Sequence, residues 1–148
     1  MSLSLIRTQL KTKLEGISGV EKVYDYKRFC NDLVTYKDLF IKDSKVNTWE
    51  IERRSFERTG RGGSGDVEDV IHNFIIRGFY SFYDALATEK TFQDLVETIC
   101  ASFINDPTLG GKAQIVHMPI TGEFSTVMLG SVLCHSVNIA VAIEDRLI

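Results

Sequence analysis

The 148-residue chain carries 17 Lys and Arg against 20 Asp and Glu, a net charge of −3, with 44% hydrophobic and 25% charged residues. That length predicts one domain, 1–148, with a core that needs no disulfide or metal, and the composition excludes a disordered chain. Acid and base are interleaved, so no global field draws the protein onto DNA or an anionic membrane.

The longest apolar stretch, 127–137, is interrupted by Gly130, Ser131, His135 and Ser136 and is too short to cross a bilayer as a helix. The first residues hold no basic stretch ahead of an apolar core and do not read as a secretory signal. Cys30, Cys100 and Cys134 are odd in number and widely spaced, which argues against a disulfide framework and fits core thiols in a reducing cytoplasm.

Leu3, Ile6, Leu10, Leu14 and Ile17 recur at helical spacing, with charged and polar residues between them. This predicts an amphipathic helix capped by Ser2 or Ser4 and closed by Gly16 and Gly19. Residues 20–26 then read as a short strand. Residues 28–42 form an irregular or partly helical connection, in which 39–41 could instead open an extended piece, and Asp43-Ser44-Lys45 is a turn signal.

The central prediction is a long hairpin. One arm, 49–58, belongs to a strand from Val46 that sets Trp49, Ile51 and Phe56 among charged residues and is largely exposed along part of its length; the tip, 59–66, is glycine-rich; and the returning arm, 67–80, is apolar on both alternating sets from Val70 onward. A strand apolar on both sets is covered on both faces, so this arm belongs in the middle of the sheet.

Phe92, Leu95, Val96, Ile99, Cys100 and Phe103 mark a second amphipathic helix, with Thr91 and Asp94 in capping-box-like spacing and Thr88 as a rival cap. Residues 105–111, with Pro107, Gly110 and Gly111, stop it. From Ala113 the apolar period drops to two. Residues 114–118, 124–129 and 133–143 read as three strands, separated by a turn at 119–123 and by a Gly130-Ser131 pivot that either divides two strands or bends one. The result is an α+β fold: a largely antiparallel sheet, two main helices on one face and a long protruding hairpin.

Four groups of residues invite a chemical reading. Gly60, Gly62, Gly63 and Gly65 resemble a phosphate-binding loop, but no helix and no Gly-Lys-Ser/Thr follow, so a hairpin tip is the stronger reading. His72, His117, His135 and the cysteines lack metal-ligand spacing. Cys134 and His135, neighbours on a strand, point to opposite faces and cannot act as nucleophile and base. Asp66, Glu68 and Asp69 lack the oxygen spacing of a calcium loop. Arg53, Arg54, Arg58 and Arg61 suggest phosphate contacts, yet Glu50, Glu52 and Glu57 lie among them, which favours cross-strand or intersubunit ion pairs. No catalytic set, metal or cofactor is expected.

The size, the acidic character, the order of elements, the long hairpin and the stretch Gly78-Phe79-Tyr80 through Asp84-Ala85-Leu86-Ala87-Thr88-Glu89-Lys90-Thr91-Phe92 resemble small tail-completion proteins of tailed bacteriophages, most closely the tail-terminator group. The resemblance implies a structural virion protein without enzymatic activity, assembled as a homohexameric ring. Such a ring caps the tail tube, ends its polymerisation and provides the docking surface for the head. Its implied partners are its own copies, the tail tube protein and a head-tail connector or stopper, with DNA passing through without sequence-specific binding. The implied locations are the virion neck and, during assembly, the host cytoplasm. A head-closure stopper or connector adaptor is the alternative, and a small hydrolase a more distant one. A long arm suits contact with a neighbour, which makes Arg53, Arg54, Arg58, Arg61, Gly62, Gly63 and Asp66 the candidate assembly contacts. The glycines predict a tip that becomes ordered by such a contact.

Overall fold

A computed structural model describes residues 3–28, 41–42, 45–60, 68–82, 87–129 and 132–147. The apolar stripe of the first helix folds as its spacing requires. α1, Leu3–Glu15, buries Ile6, Leu10 and Leu14 completely, with Leu3 and Ile17 packed at the margin. The chain then forms β1 (Lys22–Tyr24), β2 (Ile41–Lys42), β3 (Lys45–Gly60), β4 (Glu68–Ser81), α2 (Thr88–Asn105), β5 (Ile115–Leu129) and β6 (Val132–Leu147). Neither helix is long and apolar enough to cross a membrane.

The strands make one sheet in the order β1-β3-β4-β6-β5, with β2 paired to the start of β3. Only the short β1–β3 pairing is parallel. β4 is central, as its two apolar sets predict, with β3 on one side and β6 along its whole length on the other. The hairpin ladder runs from Asn47↔Tyr80 out to Gly60↔Glu68, with a bulge between Arg53 and Ser55. The tip, including Arg61, Gly62, Gly63 and Asp66, lies outside the described residues. So do most of the 28–42 connection and the Gly130-Ser131 pivot.

Rows across the sheet explain the core. Val23, Trp49, Gly78, Val137 and Phe124 lie in register, and Ile51, Ile76, Ile139 and Gly122 form the next row. These rows meet Phe92, Leu95, Val96, Ile99 and Phe103 of α2 and the α1 stripe in one buried cluster, so both helices cover the same face. Gly78 is required there: a Cβ at this position would sit 2.3 Å from the Trp49 ring. The helices are also joined at their ends. Lys13 Nζ donates to the Ser102 carbonyl at 3.0 Å and pairs with Asp106 at 3.1 Å, placing a cation on the last carbonyls of α2.

Three local expectations are corrected. The turn at 119–123 does not form: β5 is continuous past a cis Met118–Pro119 peptide, and extra residues between His117 and Thr121 swell the ladder without reversing it. Proline is tolerated because β5 is an edge strand and needs donors on one side only. The last three predicted strands are therefore two. The cap of α2 is also different: Ala87 occupies the N-cap position with φ 51° and no side-chain cap bond. The hydroxyl of Thr88 instead lies 2.8 Å from His135 Nε2, drawn into a tertiary contact. The strand expected over 20–26 keeps only its three middle residues.

Candidate functional site

The bulge in β3 sends the arginines of the hairpin to different faces. Arg53 faces the helix side, where its Nε donates to His72 Nδ1 at 3.0 Å and its guanidinium lies 4.3 Å from the Phe56 ring centre. Burial, with Arg53, Arg7 and Arg58 nearby, lowers the His72 pKa to about 4, so the imidazole is neutral and free to accept that bond. Arg53 is itself held below the ordinary arginine value by burial and by Arg7 and Arg58. Arg54 turns to the opposite face, 3.8 Å from Glu52 and more than half exposed. Arg58 crosses to β4 and grips Glu68 with Nε and, at 2.7 Å, with Nη2. The structure thus contains a cross-strand ion pair of the kind the interleaved charges suggested, but does not gather the arginines into one patch.

On the face away from the helices, Arg77 Nη2 reaches Glu52 at 2.5 Å and Nη1 stands 3.8 Å from Glu50. Glu50 is buried, which raises its pKa; the backbone N–H of Arg28 and the Arg77 charge act in the opposite sense. These charges lock the middle of β3 to β4.

The residue types that suggested catalysis are dispersed. His72 is buried beside Arg53; His117 lies 3.4 Å from Glu144 on the other face; His135 is buried near α2. Burial pushes the Cys134 thiol up to about 11 and raises that of Cys100 as well, so neither is a ready thiolate. Glu68 is held by Arg58 and Asp69 by Arg146 at 3.0 Å. Among the described residues no three His, Cys, Asp or Glu side chains converge on a metal position.

Two features escaped sequence reasoning. The first is an aromatic pocket of about 270 Å³ between the start of α2 and the sheet. Phe82 stacks on His135 at 4.4 Å, Phe92 lies 5.9 Å from the same ring, and Phe124 meets Phe92 edge-on at 6.0 Å. Glu89, Gln93, Ser125 and Thr126 supply its polar lining. Burial lowers the pKa of His135, partly offset by Glu89, and favours the neutral ring. Phe92 reads in sequence as an ordinary core residue, and nothing local links it to Phe82, Phe124 or His135.

The second feature is the edge formed by β5. From 121 to 129 it holds a single charge, Glu123, and no proline, while Phe124 and Met128 are 43% and 59% exposed. Edges of monomeric sheets are ordinarily blunted by charge, proline or a bulge, so a nine-residue run with one charge and neither of the other two marks a surface suited to pairing. Beyond the pairing of β1 and β2 near its start, β3 presents the other edge, 51–60, which carries five charged residues and the Arg53/Ser55 bulge and is therefore the more blunted of the two. No protein-family model matches this sequence, and no curated protein does.

Proposed function

We propose that the chain is a structural virion protein of the phage neck, forming a ring that caps the tail tube, ends tail polymerisation and offers the surface on which the head docks. The observation that carries this reading is a single sheet that, among the described residues, has no further strand beyond β5 or beside the outer half of β3, with all its described helices on one face. Its four long strands, β3, β4, β6 and β5, alternate in direction. A second copy placed alongside in the same orientation brings its β3 against β5, continues the antiparallel alternation and keeps its helices on the same side. Such a head-to-tail contact closes into a ring whenever the rotation per copy divides a full turn.

Six copies follow from the resemblance to tail terminators, as do the tail tube protein and the connector or stopper as partners. The near-neutral, mixed charge suits passage of DNA through the ring without sequence-specific binding. The chemistry of such a protein is association.

Mass photometry and negative-stain imaging of the purified protein, alone and with its tube protein, test the reading. A closed ring that binds tube ends is expected, and a monomer indifferent to the tube overturns it. Pull-down against tube and connector proteins separates a terminator from a stopper or adaptor. Thr126→Lys, which adds a charge in the middle of the charge-poor run of β5, is expected to abolish the ring while leaving the monomer folded.

A further inference from the structure

The aromatic pocket lies beside the β5 edge, because Phe124 and Thr126 belong to both. Its chemistry suits a cation: the exposed Phe124 ring and the half-buried Phe82 ring, one carboxylate, Glu89, and, among the described lining residues, a single histidine held toward its neutral form. The opposite edge of the sheet carries two arginines against one carboxylate, Glu68, on the same, helix-facing side. Arg53, Phe56 and Arg58 pair with Phe74, His72 and Val70, all buried residues of that face.

We propose that this pocket is a socket for Arg58 of a second copy of the chain. The inference rests on the ring reading and assigns the residues of its joint. Arg58 is the freer of the two helix-side arginines, since Arg53 is engaged by His72 and Phe56, whereas the pairing of Arg58 with Glu68 is exposed and exchangeable.

Register supports the assignment. Setting Arg58 of one copy opposite Phe124 of the next places Phe56 opposite Thr126, Glu57 opposite Ser125 and Thr59 opposite Glu123. Helix-side residues then meet helix-side residues, and no like charges face each other. Shifting β3 by two residues, so that Phe56 lies opposite Phe124, sets Glu57 against Glu123 and is disfavoured. The chosen register also lets the open run of β3 cover the charge-poor run of β5, with Gly60 at Gly122. Glu89, at the start of α2, then offers Arg58 a carboxylate to replace Glu68, with the rings of Phe124 and Phe82 beside the guanidinium.

A charge swap tests the socket. Glu89→Arg and Arg58→Glu, made singly, are each expected to weaken self-association about tenfold or more in sedimentation analysis, and together to restore it to within about threefold of the parent. Circular dichroism checks that each monomer stays folded. Copies carrying Phe56→Cys, mixed with copies carrying Thr126→Cys, are expected to cross-link between subunits. If rings form and cross-link but ignore both charge reversals, the socket is wrong and the edge joint stands. Rings that neither cross-link nor respond to the reversals overturn both socket and register. A parent protein that stays monomeric at high concentration overturns the socket together with the ring reading.

Discussion

The two halves of β3 share one strand and one ladder with β4, yet live in different surroundings, and only the first half also pairs with β1 and β2 among the described strands. Between Val46 and Ile51 the strand is buried on both faces apart from the half-buried Asn47; from Arg54 to Gly60 every residue is exposed. Hydrogen bonding to β4 is continuous through both halves, interrupted only by the bulge at Arg53/Ser55. The layer above differs as well as the strand alongside. Trp49 and Ile51 sit under the helices, whereas Phe56 is more than half exposed with the Arg53 guanidinium over its ring. Ladder pairing makes a strand, but burial of its faces makes that strand stabilising, because apolar area removed from water is the dominant favourable term in folding.

Mutations aimed at each half sharpen the contrast. Gly78→Ala strikes the buried half from β4 and is expected to cost about 3 kcal/mol or more, because the new Cβ cannot coexist with the Trp49 ring and the fully buried tryptophan has nowhere to move. Urea melts check this, and a change below about 1 kcal/mol would show that the row tolerates expansion. Ile51→Ala should cost about 3 kcal/mol by leaving a cavity, while Phe56→Ala in the exposed half should cost less than about 1 kcal/mol. Equal losses at the two sites would erase the distinction between the halves.

At the boundary between them, His72 makes stability depend on pH. Its folded pKa of about 4 lies below the unfolded value of 6.5, so the unfolded chain binds the proton more readily. Its contribution is fully present above pH 6.5 and is lost as pH falls toward 4, by up to about 3 kcal/mol. His135, whose pKa is also lowered, acts in the same direction. His72→Gln keeps an acceptor for Arg53 and should flatten the acid side of a melting-temperature profile; an unaltered slope would place the titration elsewhere. The smallest effect belongs to Arg58→Ala. Its exposed pair with Glu68 should leave the melting temperature of the dispersed monomer unchanged, so any loss appears in assembly alone.

Much of this architecture is visible in residue spacing. Ile6, Leu10 and Leu14 declare one helix and Phe92 to Phe103 the other, and the double apolar set of β4 places it at the centre of the sheet. These signals are legible because burial of a regular element imposes its own period on the sequence. The turn expected near Pro119 did not form because proline punctuates equally well a reversal and an edge-strand irregularity, and only the neighbouring β6 distinguishes them. The cap of α2 was misplaced because Thr88, a competent capping residue, has a better use against His135, which lies 47 residues away.

The pocket was invisible for the same reason. Phe82, Phe92, Phe124 and His135 come from separate stretches and mean nothing until the sheet aligns them. From its local chemistry alone the chain specified its fold class, its two helices, its long hairpin and the middle position of β4. Folding decided which face each arginine takes, which edge stays unblunted and which aromatics meet. Periodicity is a property of one element, whereas edges, faces and pockets belong to the way elements are brought together.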